Sequence, residues 1–193
     1  MSASISARPA VLGTFVWLAV ATGVGFTGVI SAVRMGPQLI ALTLTVVAIL
    51  VSTRVAVVRQ SVDALPIQAL VGVHAVRFIG IAFLVLGARA ELSPLFAERA
   101  GWGDITTATI AVVLMLIGLT RTVPPRVLIA WNVFGMLDLI VAVTTAAFVV
   151  VRGDVPGMEP LLRLPLVLVP IFAVPLLFAT HVALFRRLWP LIK

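Results

Sequence analysis

Apolar residues run through this chain in six long stretches, each bounded by arginine, proline or a short polar turn. They lie at about 11–33, 38–57, 67–87, 104–120, 127–150 and 164–188. A helix that crosses a hydrocarbon core of about 30 Å needs roughly 20 residues at about 1.5 Å each. Each stretch has that length or nearly so. Lipid offers no partner for backbone N–H and C=O groups, so such segments are expected to be helices. The period-two alternation of a β-barrel strand is absent. The pattern therefore predicts an all-α membrane bundle of six transmembrane helices, forming a single domain over 1–193.

The turns between stretches refine this. Arg34 closes the first span, Gly36-Pro37 opens the second, Pro66 precedes the third, and Pro124-Pro125-Arg126 opens the fifth. The longest connection, about 88–103, contains Ser93 as a helix N-cap, Pro94 as first helical residue and Gly101 as a stop. It is expected to form one short interfacial helix between spans three and four, with Leu95, Phe96 and Trp102 on the membrane face. Trp102, Trp131 and Trp189 fall near span ends, as belt residues do. The start imitates a signal peptide, with Arg8 followed by Val11–Leu18, but its apolar run continues to Val33 and reads as a retained helix.

Composition agrees with this pattern. Of 193 residues, 62% are hydrophobic and 11% charged, too little polar surface for a water-soluble globule and too apolar for disorder. The absence of Cys removes disulfides, thiolate metal sites and Cys nucleophiles. Lys+Arg number 14 against 7 acids, but they are dealt out singly between apolar runs, so the charge reports lipid headgroups and not nucleic acid. Arg8, Arg54, Arg59, Arg121, Arg126, Arg186, Arg187 and Lys193 fall on one side; Arg34, Arg89, Arg99, Arg152 and Arg163 fall on the other. Glu91, Glu98, Asp154 and Glu159 join the poorer side. The richer side is expected to be cytoplasmic, with both termini there.

Small residues predict the inward faces. These are Ala21, Gly25, Gly28 and Ala32 in the first span; Asp104, Thr107, Ala111 and Gly118 in the fourth; and Trp131, Gly135, Asp138, Ala142 and Thr145 in the fifth. Pro165, Pro170 and Pro175 in the sixth read as a fixed bend, a hinge or a tolerated kink.

The polar residues inside the spans carry the candidate chemistry. Arg77 and Asp138 lie near the middle of spans three and five. A charge at the bilayer centre is costly, so the two are expected to pair. The pair reads either as a binding or translocation centre or as an ion pair that fixes helix register. His74 precedes Arg77 by one turn; His181 and Asn132 lie at similar depth in spans six and five. The two histidines could be axial ligands of a haem b, members of a proton path, or packing residues bonded to a neighbour. A structural zinc site lacks a third ligand. Asp104 is expected at the outer entrance, capping span four or receiving a cation. Gln68 reads as an interfacial residue.

No phosphate-binding loop, dinucleotide fingerprint, HExxH motif or Gly-x-Ser-x-Gly elbow occurs, and no catalytic residue is assigned. The stretches Ala100-Gly-Trp-Gly-Asp104, Trp131-Asn-Val-Phe-Gly-Met-Leu-Asp138 and the proline-rich span ending in Thr180-His181 resemble those of uncharacterised bacterial multi-pass membrane proteins. The resemblance covers about 100–189, and it implies six helices and an inner-membrane location without a substrate. The leading expectation is a buried centre of Arg77, Asp138 and His74, with Asn132 and His181, that binds or passes a small polar solute or ion, with proton coupling as an option. In that reading Arg77 holds an anionic group. The alternatives are a bis-His haem b electron carrier and a structural partner of a membrane complex. Expected partners are membrane lipids and the solute, with a second copy or another membrane protein as further options; nucleic acid is excluded.

Overall fold

The computed structural model describes residues 6–32, 36–153 and 156–192. It is all-α, with 87% of residues helical. Six helical segments are long and apolar enough to cross a membrane: Arg8–Thr27, Pro37–Arg54, Ile67–Ala88, Pro94–Thr120, Pro125–Val151 and Val169–Leu191. Arg34, Asp154 and Lys193, all used in the charge count above, lie outside the described residues.

Helix α1 (Arg8–Thr27) starts with Pro at its first turn and stops where Gly28 turns left-handed, at φ 65°. Gly28 is thus a helix terminator and not the packing residue its spacing suggests. Only Ala21 of α1 is buried. Gly25 lets the backbone approach the sixth span, since a Cβ there would sit 2.9 Å from Val167. Trp17 meets Phe172 edge-on at 5.3 Å.

Helix α2 (Gly36–Arg54) is followed by a separate short helix, α3 (Ala56–Asp63), that the hydropathy pattern does not predict. Val55 between them is extended. The third span is not uniform. It comprises α4 (Ile67–Gly72), a 3-10 stretch (Val73–Ile79) and α5 (Gly80–Ala88). The tightened stretch carries both His74 and Arg77, and mid-helix 3-10 geometry often marks a functional position.

The expected interfacial helix is not separate. Pro94 does open a helix after Ser93, but α6 (Pro94–Thr120) runs without a break through Gly101 and Gly103. Those glycines serve close approach instead of termination. A Cβ on Gly101 would lie 3.0 Å from the Gly80 carbonyl oxygen, and one on Gly103 would overlap the Asp138 carboxylate. Phe96, expected on the membrane face, is buried against Phe83 at 5.3 Å. Helix α7 (Pro125–Val151) buries Trp131, Gly135, Ala142 and Thr145, as its stripe predicts. Trp131 is therefore a core residue and not a belt residue. Trp102 and Trp189 remain exposed.

The prolines of the sixth span break it into a turn at Pro165, a π-helical turn (Val169–Ala173) and α8 (Val174–Leu188). The core divides along its long axis. One apolar cluster gathers Phe83, Phe96, Ala100, Ala142 and Val149 at the Arg89 end. Another gathers Leu70, Val71, Leu114, Trp131 and Leu184 at the Arg121 end. The buried polar residues His74, Arg77, Asp104 and Asn132 lie on the helix stretches between them.

Candidate ion centre

Arg77 is the largest of the fully buried side chains, with 1% of its surface exposed. Its guanidinium joins three backbone segments. Nε donates to Asp104 Oδ1 of α6 at 2.6 Å, Nη1 donates to the Gly135 carbonyl of α7 at 2.9 Å, and Nη2 pairs with Asp138 Oδ2 of α7. The expected Arg77–Asp138 contact is present, and Asp104 is a second partner that sequence reasoning does not assign to it.

Asp104 is neither a cap nor at a helix start. It follows Pro94 by ten residues, about 15 Å along α6, and is buried. It still borders an opening. A cavity of about 80 Å³ reaches it and is also lined by Gln38 and Ala41 of α2. The Gln38 Oε1 atom is buried with no hydrogen-bond partner. Gly103 makes room for the Asp138 carboxylate and Gly135 for the histidine edge beside it, so two glycines of opposed helices allow the cluster to close.

The two histidines are completely buried, and their ring centres stand 4.2 Å apart. Trp131 meets His74 edge-on at 5.0 Å and donates its Nε1–H to the Thr107 carbonyl at 3.1 Å. The hydrogen bonds around the rings fix their protonation pattern. Asn132 Nδ2 donates to the His181 backbone carbonyl at 3.1 Å, which places Asn132 Oδ1 against His181 Nδ1 at 2.7 Å. An amide oxygen only accepts, so His181 carries its hydrogen on Nδ1. Thr180 gives its one hydroxyl hydrogen to the Leu177 carbonyl at 2.8 Å, so it accepts from His74 Nε2 at 3.2 Å. His74 then carries its hydrogen on Nε2. The remaining ring nitrogens, His74 Nδ1 and His181 Nε2, are bare acceptors with no partner.

The haem alternative does not fit this arrangement. Metal–imidazole bonds of about 2 Å on both faces of a porphyrin would put the ring centres roughly 6 Å apart. At 4.2 Å the rings leave no space for a macrocycle. Among the described residues, no group of three or more His, Asp or Glu is arranged to hold a metal ion.

The charges set what the centre can do. One guanidinium faces two carboxylates, so the cluster has one acid more than it has bases, and its formal charge is −1 when both acids are ionised and the imidazoles neutral. Arg77 is already committed, and an added anion would meet two carboxylates. The excess favours a cation. Gln68, expected at the interface, donates instead to the Gly118 carbonyl at 3.0 Å and ties α4 to α6. At the Arg121 end, Arg186 pairs with Asp63 and Arg187 donates to the Leu65 carbonyl at 2.6 Å, fastening α8 to the end of α3 and its turn.

No curated protein and no solved structure matches the chain. The family match begins at residue 35, beyond α1, and takes in Arg77, Asp104, Asp138 and both histidines. Over residues 35–189 the chain belongs to the family described as a domain of unknown function, DUF8737.

Proposed function

We propose that this chain is a multi-pass protein of a bacterial inner membrane, with both termini cytoplasmic, whose buried centre binds or passes a small ion. The observation that carries the reading is the Arg77–Asp104–Asp138 cluster, drawn from three spans and holding one carboxylate more than its single guanidinium pairs with. Ionisable groups inside spans are costly, and they are retained mostly where they serve an ion path, a proton relay or a binding site. A purely register-fixing pair needs one acid for one base. The second carboxylate has no such purpose. Arg77 acts as a fixed counter-charge that holds both carboxylates at one depth, Asp138 faces the ion, and Asp104 borders the cavity by which it enters. His74, His181 and Asn132 extend the polar centre towards α8.

The test is ion passage by the purified chain in sealed vesicles under an imposed gradient. Wild-type protein is expected to dissipate the gradient, and Asp138→Asn, shown to be folded by circular dichroism and gel filtration, to abolish that. Absence of passage for any ion, together with absence of ion binding, would overturn the proposal.

A further inference from the structure

We propose that the apolar cavity between α1 and the rest of the bundle holds one acyl chain of an anionic phospholipid, whose headgroup meets Arg8, Arg54 and Arg59. The site rests on the membrane placement proposed above and is independent of the ion centre.

The first argument is the packing of α1. Its far half is fastened: Ala21 is buried, Gly25 lies against Leu164 and Val167, and Trp17 meets Phe172 edge-on. Its near half stands off. Between that half and α2, α3 and α8 lies a cavity of about 540 Å³, within the range of about 300–1,000 Å³ usual for small-molecule sites. Pro9 and Trp17 of α1 both line it, as do Leu44 and Ser52 of α2. Each pair spans about 12 Å at about 1.5 Å per residue, most of one leaflet's half of a hydrocarbon core of about 30 Å. A partner's helix of about 10 Å diameter and that length would fill roughly 900 Å³, more than the cavity offers.

The second argument is the lining. Phe15, Trp17, Val47, Val51, Val62 and Leu176 make the walls apolar. The hydroxyls of Thr14, Ser52 and Thr180 also reach the lining, but each gives its hydrogen to a carbonyl of its own helix, Ala10 at 2.9 Å, Ile49 at 3.0 Å and Leu177 at 2.8 Å. They leave no donor for a polar solute, and an ordered water needs two to four polar partners. A hydrocarbon chain needs none, and it supplies the dispersion contacts that the walls of a void lack.

The third argument is charge. Arg8 opens α1, Arg54 closes α2, and Arg59 of α3 follows the lining residue Val58. All three are exposed, and among the described residues none has a carboxylate partner. Asp63, at the end of α3, is taken by Arg186. Helix α3 itself has the build of an interfacial helix: Val58 and Val62, one turn apart, line the cavity, while Arg59 and Gln60 are exposed. Three unpaired arginines around one end of an apolar cavity are the complement of a phosphate above an acyl chain, and each basic residue at the surface adds attraction for anionic lipid.

The experiment uses the full chain in phosphatidylcholine vesicles and reads tryptophan fluorescence. Trp102→Phe and Trp189→Phe remove the two exposed indoles, leaving Trp17 at the cavity and Trp131 in the core. Phosphatidylglycerol or phosphatidylcholine with brominated acyl chains is titrated in. The brominated phosphatidylglycerol is expected to reach half-maximal quenching at about a tenfold lower mole fraction. Two variants are expected to bring that ratio to about one: Gly13→Leu, which fills the cavity from a position with nothing within 4 Å of its Cβ, and the triple variant Arg8→Gln, Arg54→Gln, Arg59→Gln. Should Gly13→Leu fail to fold, Ala48→Leu fills the same cavity. A ratio of about one without these substitutions means annular lipid only and overturns the site. A ratio that stays near ten in the filled variant overturns the place given to the chain, and one that stays near ten in the triple variant overturns the place given to the headgroup. Protein that does not float with the vesicles overturns the membrane placement and this site with it, whereas failure of ion passage leaves the ratio unchanged.

Discussion

Arg77 Nε donates to Asp104 Oδ1 at 2.6 Å although the two residues stand on different spans, 27 positions apart, and both are buried. This contact gives the charge in the third span two acidic partners. Removing the arginine strands two carboxylates, whereas removing Asp104 leaves a balanced Arg77–Asp138 pair. Breaking a buried pair costs about 3–5 kcal/mol. Arg77→Gln is therefore expected to lose at least that much, and Asp104→Asn markedly less. Thermal unfolding in detergent checks this, and an Asp104→Asn loss equal to that of Arg77→Gln would contradict it.

The glycines of α6 and α7 give a second prediction. Gly135→Ala drives a methyl group onto His181 and Thr107, and Gly103→Ala drives one onto the Asp138 carboxylate. Overpacking of this kind costs about 1–3 kcal/mol. Around Gly13 and Gly23 in α1, nothing lies within 4 Å of where a methyl group would sit, so their alanine variants are expected to match wild type or gain slightly in helix propensity. Equal melting temperatures for all four variants would refute the packing described.

Asn132 holds His181 by two hydrogen bonds, at 2.7 and 3.1 Å. Asn132→Leu keeps the volume and removes both. Each buried group left unpaired costs about 1–3 kcal/mol. The variant is expected to be destabilised and to lose the fixed tautomer of His181, visible as a mixture of Nδ1–H and Nε2–H signals. A single Nδ1–H species in that variant would show that Asn132 does not set the tautomer.

The Asp63–Arg186 pair is the contrasting case. It is partly exposed, with 43% and 30% of the two side chains accessible. Exposed ion pairs contribute about 0–1 kcal/mol and weaken with salt. Asp63→Asn is expected to shift stability by less than about 1 kcal/mol, with the difference from wild type shrinking at high salt. A loss as large as that of Arg77→Gln would place Asp63 in a different role.

The fold is legible in the sequence where long-range packing does not decide the outcome. Six apolar runs announce six helices because the length needed to cross a bilayer is a strong constraint. The equal depth of Arg77 and Asp138 announces their pairing. The pattern misplaces Asp104 for a local reason: Gly101-Trp-Gly103 before it reads as a helix stop and start, since glycine is a poor helix former. Only the fold reveals that those glycines face Gly80 and Asp138, where any side chain would collide. Helix α3 escapes the hydropathy pattern because its run, Ala56–Asp63, carries Arg59, Gln60, Ser61 and Asp63 and is too short and polar to register as a span. Position in the chain assigns Trp131 to the interface, while its indole N–H is satisfied by the Thr107 carbonyl in the interior. Depth groups the two histidines, but depth does not separate haem ligands from touching rings.

The most direct test of the account is the nitrogen-15 spectrum of histidine-labelled protein in lipid bilayers, recorded at neutral pH. The chain has 2 His, so each imidazole can be assigned by a single substitution. The account predicts His181 protonated on Nδ1 and His74 on Nε2, each bonded to its own partner, Asn132 or Thr180. The opposite tautomers, or a mixture of the two on either ring, would contradict it.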